Sequence, residues 1–162
     1  MLLWLLAVFL PILAAGLIPL VPKGSRWPGW ILALSPLPAL WVSLFADVHL
    51  VCELDLFLLG TRLGFGIFDR TFILLTAMAW SVSALYIACG LEKSLTPGFL
   101  SMFALTMAGN IGLTAAQDAV SFYTFFALMT FAAYSLVVHT QTDKARRAGR
   151  IYLFMAIGAE SL

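Results

Sequence analysis

The first 22 residues, MLLWLLAVFLPILAAGLIPLVP, hold no charged side chain, and the first charge is Lys23. A run of about 20 apolar residues is what a helix needs to cross a hydrocarbon core of roughly 30 Å. Because lipid offers backbone N–H and C=O groups no partner, such a run is committed to helix. The segment lacks the basic start of a secretion signal and carries Pro11 and Pro19, so a retained span is expected over residues 2–21. Similar runs follow at 30–46, 71–89, 99–116 and 120–138. Only 10% of the 162 residues are charged and 62% are hydrophobic, whereas about a quarter are charged in a soluble domain. The pattern predicts an all-α integral membrane protein with five transmembrane helices plus the start of a sixth. Ser35, Pro36 and Pro38 predict a break in the second span. The sixth helix, expected to begin near Gly149, has only IYLFMAIGAESL to run in. At about 1.5 Å per residue that reaches roughly 18 Å, so the chain reads as the N-terminal portion of a longer protein.

Charge orders the connections. Seven of the nine Lys and Arg residues (Lys23, Arg26, Lys93, Lys144, Arg146, Arg147 and Arg150) fall in alternate loops, while Arg62 and Arg70 lie on the other side with Asp47, Glu53, Asp55, Asp69 and Asp118. The positive-inside rule then places the N-terminus outside the cytoplasmic membrane and explains DKARRAGR without a dedicated function. Residues 47–70, DVHLVCELDLFLLGTRLGFGIFDR, read as an extracytoplasmic loop with extended structure and a hairpin around residues 60–66. Two cysteines, Cys52 and Cys89, make neither a disulfide framework nor a metal-ligand spacing, and His49 near Cys52 lacks further ligands. No phosphate loop, dinucleotide fingerprint, nucleophile triad or nucleic-acid surface is visible, and no cofactor is expected.

The fourth and fifth spans carry the informative faces. Ala104, Ala108, Gly112 and Ala116 recur every four residues, a stripe that lets a neighbouring helix approach closely. Asn110 in the same span reads as interhelical glue, with an ion ligand as the alternative. In the fifth span, Tyr123, Thr124, Thr130 and Tyr134 lie at helical spacing around Ala127. Four hydroxyls around one small side chain predict a face turned to protein or water, although hydroxyls bonded to their own backbone would leave the same pattern. Asp118 precedes the span and suits a helix cap. His139 stands at its far end, where it would either relay protons or form a polar interfacial end.

The stretch AGNIGLTAAQDAVSFYTFFALMTFAAYSLVVHTQTDKARRAGRIYLFMAIGAES, with LLGTRLGFGIFDRTFILLTAMAWSVSALY upstream, resembles the antiporter-like subunits of complex I. Membrane subunits of proton-pumping hydrogenases and of multisubunit sodium/proton antiporters share that family. The resemblance implies a protein of fourteen or so helices, of which this chain would be the first third. Residues 1–98 would then be helices one to three, and 99–162 the start of the antiporter-like core. It implies partners among other membrane subunits, redox subunits possible, with any redox chemistry done by those partners. The family's helix-five glutamate falls on Ala127, with FFALM standing where FFELM is expected, and the helix-seven lysine lies beyond Leu162. Glu160, an acid within an apparent helix, either supplies the missing carboxylate, since Ala127 and Glu160 both lie about 16 Å from the predicted cytoplasmic edge, or faces another subunit or a truncated edge. Three readings follow: an ion-path or coupling subunit of a proton- or cation-translocating oxidoreductase, a structural subunit that has lost transport, and a subunit of a sodium/proton antiporter without redox partners.

Overall fold

The computed structural model describes residues 2–22, 25–46, 52–54, 61–64, 67–90 and 95–160. Helix α1 covers Leu2–Leu17 and tightens into a 3-10 turn at Ile18–Leu20, where Pro19 has no N–H to continue the α-helical ladder. The second span is two helices, α2 (Trp27–Leu34) and α3 (Leu37–Phe45). Ser35 and Pro36 make the break. Ser35 donates its hydroxyl to Ile31 O at 2.8 Å and its N–H to Leu32 O at 3.2 Å, so carbonyls that a proline would orphan stay satisfied. Helices α4 (Ile67–Ala88), α5 (Pro97–Ala115) and α6 (Ala119–Val137) follow, and α7 spans Asp143–Glu160.

Among the described residues, four segments are long and apolar enough to cross a membrane: Trp27–Phe45, Asp69–Ala88, Pro97–Ala115 and Ala119–Val137. The first helix is apolar over Leu5–Leu20 but shorter. The last helix departs from expectation, starting at Asp143 rather than near Gly149, so the basic stretch is helical. Thr142 explains this by capping α7: its Oγ1 accepts the Ala145 N–H at 3.2 Å, and Asp143 sits in the first turn, favoured by the helix dipole. The reversal between α6 and α7 takes a few residues, with Gln141 at φ 54° donating its N–H to Val138 O at 2.9 Å.

Helix α5 is the hub. It packs most extensively on α6 and also against α1, α4 and α2. Three members of the expected small-residue stripe are buried, Ala104 and Ala108 fully and Gly112 beside them, whereas Ala116 is half-buried and extended, just past the end of α5. The tightest approach, however, runs through Gly109 as well as Gly112. A Cβ on Gly109 would lie 2.6 Å from Met129 N and 2.8 Å from its Cα, and one on Gly112 would lie 2.3 Å from the Phe125 ring. Asn110 joins three helices: its Oδ1 accepts the Trp80 indole N–H at 3.2 Å, and its Nδ2 donates to Met129 Sδ at 3.1 Å.

The loop between α3 and α4 does contain a hairpin, but with its strands at β1 (Cys52–Leu54) and β2 (Thr61–Leu63) rather than around 60–66. They pair antiparallel with Cys52 opposite Leu63. The other edge of β2 is stitched to the α5–α6 connection, where Gly64 N–H donates to Ala115 O and Gln117 N–H to Arg62 O, each at 2.9 Å. Arg70, in the first turn of α4, donates Nε to Ser43 O at 2.7 Å and Nη2 to Leu44 O. Those carbonyls belong to the last turn of α3, where a helix is partially negative and lacks its own donors.

Candidate ion-path face of the sixth helix

Asp118 initiates the helix that carries the candidate face. One carboxylate oxygen accepts Ser121 N–H at 2.8 Å; the other accepts the Ser121 hydroxyl and Arg62 N–H, the latter at 2.9 Å. Desolvation is the largest single influence on this carboxyl and pushes its pKa up. Hydrogen bonds from the Ser121 side chain and from the backbone of Ser121, Arg62 and Val120 together outweigh it and hold the pKa below its ordinary value. Asp118 is thus the expected cap, and it also fastens β2 to the helix start.

Helix α6 turns Ser121, Phe125 and Ala132 into buried positions, while Val120, Tyr123 and Phe131 remain exposed. Ala127 is half-buried and lies, at about 100° per residue, on the side opposite Phe125. The hydroxyls do not converge on it. Thr124 Oγ1 donates to its own helix at Val120 O, 2.7 Å away, as the simpler reading of the pattern anticipates. Tyr123 is 51% exposed and meets Phe122 edge-on. Thr130 is buried, and its Oγ1 has no hydrogen-bond partner among the described residues. Tyr134 packs against α7, since a Cβ on Gly149 would lie 2.9 Å from its Cε2 and 2.4 Å from Val138 Cγ1.

Helix α7 therefore doubles back along this face of α6. Gly149 is buried and Tyr152, Leu153 and Ala156 are half-buried, whereas Ile151, Phe154, Met155 and Ile157 are more than half exposed. Glu160, the last residue of α7, follows Ala156 by four and shares its register; its side chain lies outside the described residues. His139 is exposed, with Nδ1 2.7 Å from Leu136 O and its ring edge-on to Phe99 at 4.9 Å between centroids. That geometry ties the end of α6 to the start of α5. Among the described residues no three His, Cys, Asp or Glu side chains group as metal ligands.

Sequence reasoning missed Gln117, whose amide donates to Gly64 O at 3.2 Å, and the role of Arg70. An amide or arginine next to a span end was the available signal, but its partner is more than 25 residues away in each case.

The fold has a solved counterpart. A chain in the structure of the membrane-bound sulfane sulfur reductase (MBS), an archaeal respiratory membrane complex, matches 94% of this chain with a TM-score of 0.75 and 21% identity. The present chain spans 33% of the length of that MBS chain. No protein-family model and no curated protein matches the sequence. The likeness to the MBS chain establishes the arrangement of helices: a mostly helical, multi-pass membrane architecture.

Proposed function

We propose that this chain is a membrane subunit of a proton- or cation-translocating respiratory complex, held in the cytoplasmic membrane with its N-terminus outside and surrounded by other membrane subunits. The observation that carries the reading is the match of nearly the whole chain to a subunit of a respiratory membrane complex. The α6 face supports it, because Thr130 offers a buried hydroxyl without a partner among the described residues and Tyr134 meets a second helix whose register leads to Glu160. Gly149 comes nearest to Val138, and from that level Glu160 along α7 and Ala127 along α6 each lie about 16 Å away. Those heights are compatible with a carboxylate on α7 standing in for the one that Ala127 lacks. In this role the chain contributes to the ion path or its coupling, and redox chemistry belongs to partner subunits.

Ala127 itself favours a second reading, a structural subunit that does not conduct. Ion flux in membranes reconstituted with the intact complex distinguishes the two. On the first reading, Glu160→Gln cuts transport severely while co-purification of partner subunits is unchanged. Transport at the native rate in that variant removes Glu160 from the path. A native complex in which no ion movement depends on this chain leaves the structural reading standing. Failure of the tagged chain to co-purify with any membrane subunit defeats both.

A further inference from the structure

A cavity of about 840 Å³ opens at the end of the bundle where α2 begins, α4 ends and α5 begins. Its walls include Arg26, Trp30, Ile87, Cys89, Thr96 and Leu100. We propose that this cavity is a binding site for one anionic glycerophospholipid, with the phosphate on Arg26 and the acyl chains on the apolar wall.

The chemistry of the lining selects that occupant. Among the described residues lining the cavity, Arg26 is the one with a charged side chain. A guanidinium matches a phosphodiester through paired, charge-assisted hydrogen bonds. Below it, Trp30, Ile87 and Leu100 make an apolar surface that a free phosphate leaves unused and that acyl chains cover. Pockets of this size bind molecules rather than single waters. The hollow is also preformed: Gly29 lets α2 close on α4, since a Cβ there would sit 2.9 Å from Ala88 Cα.

Depth agrees with charge. Trp27 and Trp30 are 70% and 47% exposed at the start of α2, and tryptophan at a span end marks the headgroup level of a bilayer. Basic pockets between transmembrane helices at that level hold anionic lipid headgroups. A zwitterionic lipid brings its own cation to the arginine and is bound less well.

The test is native mass spectrometry of the detergent-solubilised full chain, titrated with phosphatidylglycerol or phosphatidylcholine of identical acyl chains. Phosphatidylglycerol should be retained about fivefold better, the effect of one basic side chain at a lipid surface. Arg26→Gln should reduce retention to the phosphatidylcholine level, while Arg146→Gln, on the exposed start of α7, should leave the preference intact. Cys89→Trp, which fills the cavity, should lower retention of both lipids. Equal retention of the two lipids by the native chain, persistence of the preference in Arg26→Gln, or an equal loss in Arg146→Gln would overturn the proposal. So would displacement of phosphatidylglycerol by inorganic phosphate, which would make this a simple anion site. Should Arg26→Gln fail to fold, unchanged retention in Cys89→Trp overturns it independently.

Discussion

Replacing Gly109 by alanine adds one methyl group at the point where α5 meets the α6 backbone. That methyl would stand 2.6 Å from Met129 N and 2.8 Å from Met129 Cα, where ordinary contact lies at 3.4–4 Å. The obstacle is main chain, which has no rotamer to change, so the two helices must part by roughly 1 Å and loosen their whole interface. Overpacking of this kind costs about 1–3 kcal/mol. Alanine also gains about 0.5–1 kcal/mol over glycine inside a helix, which partly offsets the clash. Gly16→Ala isolates the two contributions, because a Cβ at Gly16 meets nothing within 4 Å and retains only the helical gain. Their difference in unfolding free energy should therefore be about 1–3 kcal/mol, with Gly16→Ala neutral or stabilised and Gly109→Ala destabilised. Gly112→Ala should fall between them, since its obstacle is the Phe125 ring, a side chain that can rotate at some cost in packing. Circular dichroism during SDS titration of the protein in mixed micelles measures all three. Equal stability of Gly109→Ala and Gly16→Ala would refute the claim that close backbone approach holds this pair of helices.

Asp118→Ala should cost about 1 kcal/mol from the lost cap, and more from the lost hydrogen bond of the Arg62 N–H to the carboxylate. Because the folded carboxyl has a pKa below its ordinary 3.8, its stabilisation is complete above that value and disappears as pH falls through the folded pKa; Asp118→Asn should flatten stability over that acid range in a pH-dependent melt. Arg70→Gln should cost about 1–2 kcal/mol in thermal unfolding, with Lys at the same position recovering only part, since one ammonium cannot reproduce the fork that reaches both Ser43 O and Leu44 O. Asn110→Ala should cost about 0.6–1.7 kcal/mol, and a double-mutant cycle with Trp80→Phe should return a coupling near 0.5 kcal/mol or more; additivity would show that the hydrogen bond carries no weight.

The spans were legible because lipid leaves the backbone one solution. Expected residues 99–116 and 120–138 became Pro97–Ala115 and Ala119–Val137, with Thr96 and Asp118 capping where short polar side chains precede apolar runs. The break at Ser35 and Pro36 was legible for the same local reason. What depends on a partner was not. Gly109 lies beside the four-residue stripe and gains its importance only from where Met129 crosses it. Thr142 was hidden because basic residues after it read as loop, although a cap and an acidic first residue outweighed their polarity. At the candidate face, helical spacing grouped Thr124 with Thr130, yet six residues place them about 120° apart around the axis. One found its own backbone and the other a buried position. Spacing names the side of a helix, but only the neighbours decide which groups on it can meet.

Strand β2 has no spare edge. With β1 on one flank and residues 115–118 on the other, its backbone donors and acceptors are already engaged in antiparallel bonds. A short extended segment outside the bilayer would otherwise be open to zipping onto the same segment of another copy, a hazard for a chain this apolar. Occupying both flanks internally removes β2 as a template for such aggregation.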